Sequence, residues 1–366
     1  MKIIVPRLSL LSLINKIQNV TSLKPAIPIL ANIMLEAVDD ELIISGTDLT
    51  ISMRAYIEAK VLEEGGITLP ARRFFQLIRE LTAPQVEIHS LSPEIGLINA
   101  GTSHFKLQGM HKNEFPVIPN FSEGISFTLP AAKLKELFSS TAFAAAHDDE
   151  RQVLNGVCLE ITNNSVTLIS TNGKRLAKIQ AQLDSDLGQT SSSVIPIKAV
   201  EEIIRILNGE DGNATVTLLP DKIALEMGSI VLISKLIAGQ YPDVSSFIPE
   251  KKDTPLVLHR EELMSLLRQV MLFTSEDSSA TRFTFTTGEL HLSAVSGQIG
   301  EGKVNMPVNY GGEKLEIAFN PHYLLDLLRH SKDETVHFTL TDPYNPGLIT
   351  DSSNAEFVIM PMRIQT

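Results

Sequence analysis

Cysteine is nearly absent from this chain of 366 residues, with Cys158 as its single representative. One thiol excludes a disulfide-stabilised scaffold and a metal cluster held by several thiolates. Because Cys158 lies in an apolar run at residues 157–159 with the pattern of a strand, we predict that it is a small core residue. The nine histidines form no pair at metal-ligand spacing, so the sequence predicts neither a metal site nor a cofactor.

Aromatic residues and long apolar runs are scarce as well. Trp is absent and aromatic residues make up 5% of the chain, which excludes the aromatic-rich run on which binders of single-stranded nucleic acid stack bases. No stretch approaches the ~20 apolar residues that a membrane helix needs. The apolar N-terminus lacks the small-residue cleavage site of a signal peptide. We therefore expect a soluble, cytoplasmic protein.

What the sequence does contain is a module repeated six times. In each module an apolar strand and a break, often at proline, precede a helix with apolar residues at i, i+3, i+4 and i+7. Segments that alternate with the period of two expected for strands follow each helix. Successive helices begin 60 to 66 residues apart, counted from their first apolar residues, which are Leu10, Phe74, Leu134, Val200, Leu263 and Leu324.

The six modules pair into three domains, because odd and even modules differ in the segment that leads into the helix. Pro70, Pro196 and Pro321 mark the even helices and lie 126 and 125 residues apart, a normal domain length. We predict domains at residues 1–120, 121–250 and 251–366. Each should carry two helices packed on antiparallel sheets, which is an α+β fold.

The net charge of −12 argues at first against a nucleic-acid partner. The six helical segments nevertheless hold thirteen Lys and Arg against seven Asp and Glu, a net charge of +6, whereas the rest of the chain has −18. At ~100° per residue, the position five residues after the first apolar residue points away from the core. Four helices have arginine there, and the same face one heptad earlier has Arg72 and Lys198; the four are Arg79, Arg205, Arg268 and Arg329.

A basic helix face without a base-reading motif favours contact with phosphates regardless of sequence. Two alternatives stay open at this point. The arginines could keep the helices of a purely protein-binding scaffold soluble, or an enzyme could use an unrecognised carboxylate site. Residues 297–303 come near the phosphate-loop pattern, but Val304 replaces the required Ser or Thr and a strand-like segment follows. We interpret this segment as a strand turn and predict no catalytic residue.

Together with the threefold module, seven segments carry a resemblance to a known family. They are residues 24–36, 45–49, 70–75, 154–157, 170–177, 234–243 and 357–363, which read KPAIPILANIMLE, SGTDL, PARRFF, LNGV, STNGKRLA, SKLIAGQYPD and FVIMPMR. Over its whole length the chain resembles the bacterial DNA polymerase III beta subunit family. The resemblance implies a non-enzymatic processivity factor in which two chains close head to tail into a ring of six domains around duplex DNA. It also implies three kinds of partner beyond DNA and a second copy, namely the replicative polymerase, the clamp loader and other replication and repair proteins.

The resemblance further implies three sets of site residues. The residues facing DNA would be Lys24, Arg72, Arg73, Lys198 and Arg205. The residues at the dimer seam would be Leu77, Phe105 and Leu107 on one side and Leu272 and Phe273 on the other, with the acidic run of some relatives reduced to residues 298–301. The groove for partner peptides would comprise Leu154, Thr171, Gly173, Arg175, Leu176, Pro242, Phe247, Tyr323, Val358, Met360, Pro361 and Met362. Methionines around a rigid proline suit such a groove, because thioethers adapt to varied apolar partners.

Overall fold

The computed structural model describes residues 1–22, 25–121, 123–251, 255–275 and 280–363. Within this part of the chain there are six α-helices: α1 (Arg7–Ile17), α2 (Ala71–Glu80), α3 (Ala131–Ala142), α4 (Ile197–Leu207), α5 (Arg260–Val270) and α6 (Pro321–His330). Their number and positions confirm the repeat. None of these described helices combines the length and apolar character that a membrane crossing requires.

Strands account for most of the remaining described residues. In chain order they are β1 (Lys2–Pro6), β2 (Asn32–Val38), β3 (Glu41–Thr47), β4 (Ile51–Glu58), β5 (Lys60–Glu63), β6 (Gly65–Pro70), β7 (Gln85–Ser92), β8 (Ile95–Ala100), β9 (Ser103–Gln108), β10 (Ile125–Pro130), β11 (Gly156–Thr162), β12 (Ser165–Thr171), β13 (Arg175–Gln182), β14 (Thr190–Pro196), β15 (Asn213–Leu218), β16 (Lys222–Met227), β17 (Ile230–Lys235), β18 (Leu256–His259), β19 (Thr281–Thr286), β20 (Glu289–Ser296), β21 (Gly300–Pro307), β22 (Leu315–Phe319), β23 (Thr335–Thr339), β24 (Gly347–Thr350) and β25 (Glu356–Ile359). A three-strand meander follows every helix, as the alternating segments predict.

The junction between strand and helix repeats along the chain. Helices α1 to α4 each begin directly after a proline that ends the preceding strand, namely Pro6, Pro70, Pro130 and Pro196. Proline suits this junction because its fixed φ ends the strand, and the N–H that it lacks would find no partner at a helix start. Helix α6 instead begins at Pro321 itself, and the Asn320 side chain before it accepts a hydrogen bond from the His322 N–H at 3.0 Å.

The apolar stripes of the helices are buried, as the spacing predicts. All four stripe residues of α1 are buried, and so are those of α6. Three stripe residues on other helices, Leu77, Ile204 and Leu266, are only half-buried. Each fully buried leucine or isoleucine contributes about 1.5–3 kcal/mol of hydrophobic stabilisation. The stripes therefore hold the helices on their sheets.

The chain divides into two compact units, one formed by residues 1–135 and 198–237 and the other by residues 136–197 and 238–366. The first unit holds a five-stranded sheet in the order β5-β1-β7-β8-β9 and an eight-stranded sheet in the order β10-β15-β16-β17-β4-β3-β2-β6. The second holds an eight-stranded sheet in the order β14-β11-β12-β13-β25-β24-β23-β18 and a four-stranded sheet in the order β21-β20-β19-β22. Every described strand pair is antiparallel.

Each eight-stranded sheet contains strands from two of the predicted domains. In the first unit, β17 pairs with β4 from Ile230 opposite Ala55 to Ser234 opposite Ile51. In the second unit, β13 pairs with β25 over residues 175–178 and 356–359. In the first unit, an apolar cluster that includes Phe115 also joins side chains from the same two predicted domains. Strand pairing thus gives two units where the repeat predicts three domains, and the predicted boundaries themselves stay a prediction.

Two smaller expectations concern single features. Cys158 is fully buried on β11, and burial raises the pKa of its thiol to about 11, so the prediction of a core residue is confirmed. The segment that comes near the phosphate-loop pattern is the turn between β20 and β21 and the beginning of β21. The interpretation as a strand turn is therefore confirmed.

We expect Gly156→Ala to lower the free energy of unfolding by about 1–3 kcal/mol, the usual effect of overpacking. A Cβ at this position would lie 2.4 Å from the Ile195 carbonyl oxygen on the paired strand β14, and backbone cannot move aside cheaply. Gly297→Ala is the matched control, because a Cβ there meets nothing within 4 Å. Urea denaturation of both variants measures the difference, and equal midpoints would contradict the packing argument.

Candidate nucleic-acid interface and peptide groove

The described residues of the first unit that are predicted to face DNA lie on α2 and α4 and point away from the core. Arg72, Arg73 and Arg79 on α2 are exposed, and so are Lys198 and Arg205 on α4. The helical spacing therefore assigns the orientation correctly for all of them except Arg73, for which it makes no prediction. Lys24 lies outside the described residues. Whether these side chains contact DNA stays a prediction.

Carboxylates accompany several of these cations, which the charge count alone does not reveal. Lys198 pairs with Asp48, which follows strand β3. Arg205 pairs with Glu202, one helical turn earlier on the same helix. These are contacts within the first unit. They neutralise part of the positive charge on α4.

Glu202 is the unusual member of this set, because only 5% of it is exposed. One carboxylate oxygen accepts from Arg205, whereas Oε2 is buried with no hydrogen-bond partner among the described residues. Burial raises the pKa of Glu202, and the pairing with Arg205 offsets that effect only in part. From the sequence, Glu202 is only one of the acidic residues that lower the net charge of the helices. Its burial depends on tertiary packing, which the helical periodicity does not predict.

In the second unit, exposed arginines stand at the equivalent positions of α5 and α6. Arg268 and Arg329 are both exposed, as the spacing predicts. Arg329 donates from Nη1 to Oδ1 of Asp326 at 3.1 Å. The same carboxylate accepts from Arg175 on β13, so one acid serves two arginines.

The residues predicted for the peptide groove all belong to the second unit, and strand pairing brings several of them together. Leu176 on β13 stands opposite Val358 on β25, and only 4% and 2% of these residues are exposed. Leu154 is equally buried, at 2%. Its neighbour Val153 lies 3.0 Å from the position that a Cβ on Gly239 would take. Leu154, Leu176 and Val358 are therefore buried rather than exposed, and we call these three predicted groove residues the buried base.

A turn after β12 fixes the backbone at the next set of groove residues. The Thr171 N–H donates to the Tyr241 hydroxyl at 2.9 Å, and the Thr171 hydroxyl donates to the Arg175 carbonyl oxygen at 2.7 Å. Gly173 has φ +82°, the left-handed region that glycine adopts without strain. Tyr241, absent from the residues predicted from sequence, therefore holds the turn in place. Its neighbour Pro242 is exposed.

The chain end and one exposed aromatic ring complete the groove residues. The Met360 N–H donates to the Lys174 carbonyl oxygen at 3.0 Å, and the Met362 N–H donates to the Ala318 carbonyl oxygen at 2.7 Å. Residues 360–362 are half-buried after β25. Phe247 is 55% exposed. An exposed phenylalanine and half-buried methionines are side chains of the kind that bind apolar partners.

Arg175, which the resemblance places in the groove, is largely buried, since only 10% of its side chain is exposed. Its guanidinium carbon lies 4.7 Å from the ring centroid of Tyr323 and 5.4 Å from that of Phe143. Nη2 donates to the Phe143 carbonyl oxygen, and Nη1 donates to Oδ2 of Asp326 at 2.7 Å. The arginine therefore orients the Tyr323 ring, which is half-buried.

The residues predicted for the dimer seam are divided between the units. In the first unit, Phe105 and Leu107 lie on β9, an edge strand of its sheet, and Phe105 is 39% exposed. In the second unit, Leu272 is 73% exposed. Its neighbour Phe273 packs against Gly302 on the edge strand β21. The contact is so close that a Cβ on Gly302 would lie 2.4 Å from the Phe273 ring. Each unit therefore presents apolar side chains at a sheet edge.

Two further apolar residues near this second edge were missed from sequence. Val295 is 60% exposed and Ile299 is 52% exposed, at the end of β20 and in the turn that follows. Alternation along β20 could have indicated Val295, because Leu290, Leu292 and Ala294 occupy the buried face and Val295 falls on the other one. These two exposed side chains add apolar surface near this edge.

Comparison with known proteins gives matches over nearly the whole chain. Models of the DNA polymerase III beta subunit match as its N-terminal domain at residues 1–119, its central domain at residues 128–243 and its C-terminal domain at residues 245–363. The beta sliding clamp of Chlamydia trachomatis is 48% identical over 364 residues, covering 100% of this chain and 87% of that protein. The beta sliding clamp of Escherichia coli K12 is 31% identical over 367 residues, with 100% of both chains covered.

Solved structures give the same result. A sliding clamp from Pseudomonas aeruginosa with ligand has a TM-score of 0.94 and 28% identity, with 100% of both chains covered. A sliding clamp from Bartonella birtlesii bound to griselimycin has a TM-score of 0.95 and 30% identity, again with 100% of both chains covered.

We expect Glu202→Gln to stabilise the protein more at pH 8 than at pH 4.5, relative to the unsubstituted chain. Because the pKa of Glu202 is raised from its ordinary value of 4.5, the native state keeps the proton to a higher pH than the unfolded chain does. The stability that Glu202 contributes is therefore complete at low pH and is lost as the pH rises through the native pKa. Glutamine carries no such loss. Calorimetric melting at both pH values measures the difference, with the exposed neighbour in Glu201→Gln as control; a stability difference unchanged by pH would contradict the assignment.

Proposed function

The chain belongs to the DNA polymerase III beta subunit family, the bacterial sliding clamps, and from that membership we propose that two copies close into a ring around duplex DNA. As a processivity factor of this family, it would hold the replicative polymerase on its template by topology rather than by chemistry. We propose that it is non-catalytic. Because the DNA that it would encircle is the chromosome under replication, we propose that it acts in the cytoplasm.

The observation that carries this proposal is the exposure of arginine at the equivalent position of four helices. Arg79, Arg205, Arg268 and Arg329 all point away from the core on a chain whose net charge is −12. The net positive charge of the helical segments would attract phosphates there, whereas the net negative charge of the rest of the chain would repel them. Phosphate contact alone carries no sequence information, so the ring could bind any duplex.

Carboxylates beside these cations favour sliding over tight binding. Lys198 and Arg205 each have an acidic partner within the first unit. A phosphate must compete with that partner, so each contact releases less free energy than a contact with an unpaired cation. We propose that Arg72, Arg73, Lys198 and Arg205 touch DNA in this weak and exchangeable way, with Lys24 as a further member.

Sheet topology supports the head-to-tail pairing of two chains. Within the chain, the third strand of a meander joins the third strand of another at both sheet crossings, β17 with β4 and β13 with β25. The third strands of the other two meanders, β9 and β21, stand at sheet edges. We propose that β9 of one copy pairs with β21 of the other. Phe105, Leu107 and Leu77 would then pack against Leu272 and Phe273.

The groove supports binding of short apolar peptide segments. Its buried base and exposed Phe247 suit one or two apolar side chains of a partner, in the way that apolar grooves take anchor residues. We propose that the polymerase, the clamp loader and other replication and repair proteins share this groove in turn. We further propose that griselimycin, which is bound in the Bartonella birtlesii structure, occupies the groove of this chain as well.

The ring predicts that retention depends on DNA topology. After loading by the cognate clamp loader, the protein should stay on nicked circular plasmid through gel filtration and should be lost once a restriction enzyme linearises the plasmid. Equal retention on both forms would overturn the ring and favour ordinary binding, and failure to load at all would favour a scaffold that binds only proteins.

Reversal of charge on the helix face should weaken loading. Arg72→Glu is expected to lower the fraction loaded several-fold without lowering the melting temperature, because Arg72 is exposed in the first turn of α2, where a negative charge suits the helix dipole. Lys60→Glu changes an equally exposed cation on strand β5, away from the helices, and serves as the matched control. Equal losses in both variants would show that net charge, rather than the helix face, matters.

Truncation of the Phe247 side chain should weaken binding of a ligand in the groove but leave the dimer intact. We expect Phe247→Ala to weaken griselimycin by about 30-fold in calorimetric titration, the effect of losing an aromatic anchor. Val117→Ala, at a residue 94% exposed, is the control. Light scattering should give about 80 kDa for both variants, twice the 40.2 kDa of one chain. A monomeric mass for Phe247→Ala would mean that this ring serves assembly rather than the groove.

A further inference from the structure

One carboxylate in the second unit connects a DNA-facing cation to the peptide groove. Asp326 on α6 accepts from Arg175 at Oδ2, 2.7 Å away, and from Arg329 at Oδ1, 3.1 Å away. The Arg175 side chain is 10% exposed, that of Asp326 32% and that of Arg329 55%. The three side chains therefore run from the buried base of the groove to the solvent-facing side of the helix.

Arg175 depends on Asp326 more than a fully bonded arginine would. Its Nε is buried with no hydrogen-bond partner in the described part of the chain. The guanidinium is held by Asp326, by the Phe143 carbonyl oxygen and by the faces of the Phe143 and Tyr323 rings. Because the ion pair with Asp326 is the charged contact in this set, its strength decides how firmly Arg175 is fixed under Tyr323.

Arg329 draws on the same carboxylate from the opposite side. Its side chain is more than half exposed, so it can leave Asp326 at little cost when a phosphate approaches. The Asp326 carboxylate then pairs with Arg175 alone. Its negative charge, no longer shared with Arg329, attracts the Arg175 guanidinium more strongly. The guanidinium and the Tyr323 ring above it lose freedom before any peptide arrives, and a pre-organised groove binds more tightly.

We propose that Asp326 couples the two surfaces, so that DNA contact at Arg329 tightens peptide binding at the groove and peptide binding strengthens DNA contact by the same factor. The inference rests on the proposed function, since it takes Arg329 to face DNA and Tyr323 to face the peptide. Asp326 acts here as a positioning residue. Reciprocity follows because linkage between two binding equilibria has one coupling free energy.

The coupling can be tested without DNA, because loss of Arg329 should imitate its capture by phosphate. We expect Arg329→Gln to tighten griselimycin about two- to fivefold in calorimetric titration of the full chain, the range that an exposed ion pair allows. Arg329→Lys keeps the charge and should leave the affinity unchanged. Arg268→Gln removes an equally exposed arginine from the neighbouring helix α5 and should also have no effect.

A second set of variants separates coupling from a purely structural role. Asp326→Asn should weaken griselimycin several-fold, and in that background Arg329→Gln should change nothing, because the shared charge is gone. A short linear duplex added to the unsubstituted chain should tighten griselimycin, but should not do so in Arg329→Gln. The Arg329 variants alter an exposed side chain, so the test does not depend on the folding of Asp326→Asn.

The outcomes distinguish this proposal from the one on which it rests. If the unsubstituted chain binds griselimycin and Phe247→Ala loses it, while Arg329→Gln binds with unchanged affinity, the groove stands and the coupling is wrong. An effect of Arg329→Gln that persists in the Asp326→Asn background would also overturn the coupling. If the unsubstituted chain fails to bind griselimycin, both the groove assignment and the coupling are wrong.

Discussion

Antiparallel pairing between the third strands of two meanders is the constraint on which the rest of this structure depends. Each such pair turns two four-stranded halves into one eight-stranded sheet, with β17 against β4 in one unit and β13 against β25 in the other. The backbone groups at these strand edges are satisfied there instead of being left open to aggregation. The same rule leaves β9 and β21 at sheet edges, which is where a second copy of the chain can continue the pattern.

Much of the fold could be predicted from sequence because it depends on local periodicity. Leu10, Phe74 and their equivalents are buried where a 3.6-residue period places them, and prolines such as Pro130 mark where strand becomes helix. The outward direction of Arg205 and Arg268 follows from the same geometry. The pairing of strands far apart in the chain does not, since alternation assigns a face to each residue but names no partner strand.

The candidate sites show the same division. The resemblance predicts that Thr171, Arg175 and Tyr323 belong to the groove. The sequence does not show that the Arg175 side chain is largely buried or that Tyr241 anchors the turn at Thr171. Glu202 reads as an ordinary surface acid, whereas tertiary packing buries it beside Arg205. Burial and sharing of charge are set by three-dimensional neighbours, so a count along the helices overstates the positive charge available to phosphate.

The fully buried position of Cys158 on β11 has a practical consequence. With its only thiol enclosed, the native protein offers almost no background to maleimide dyes or thiol cross-linkers. A cysteine introduced at any exposed position would therefore be the single labelled site on each copy. The natural sequence is already suited to fluorescence energy transfer between two copies, without prior removal of a native cysteine.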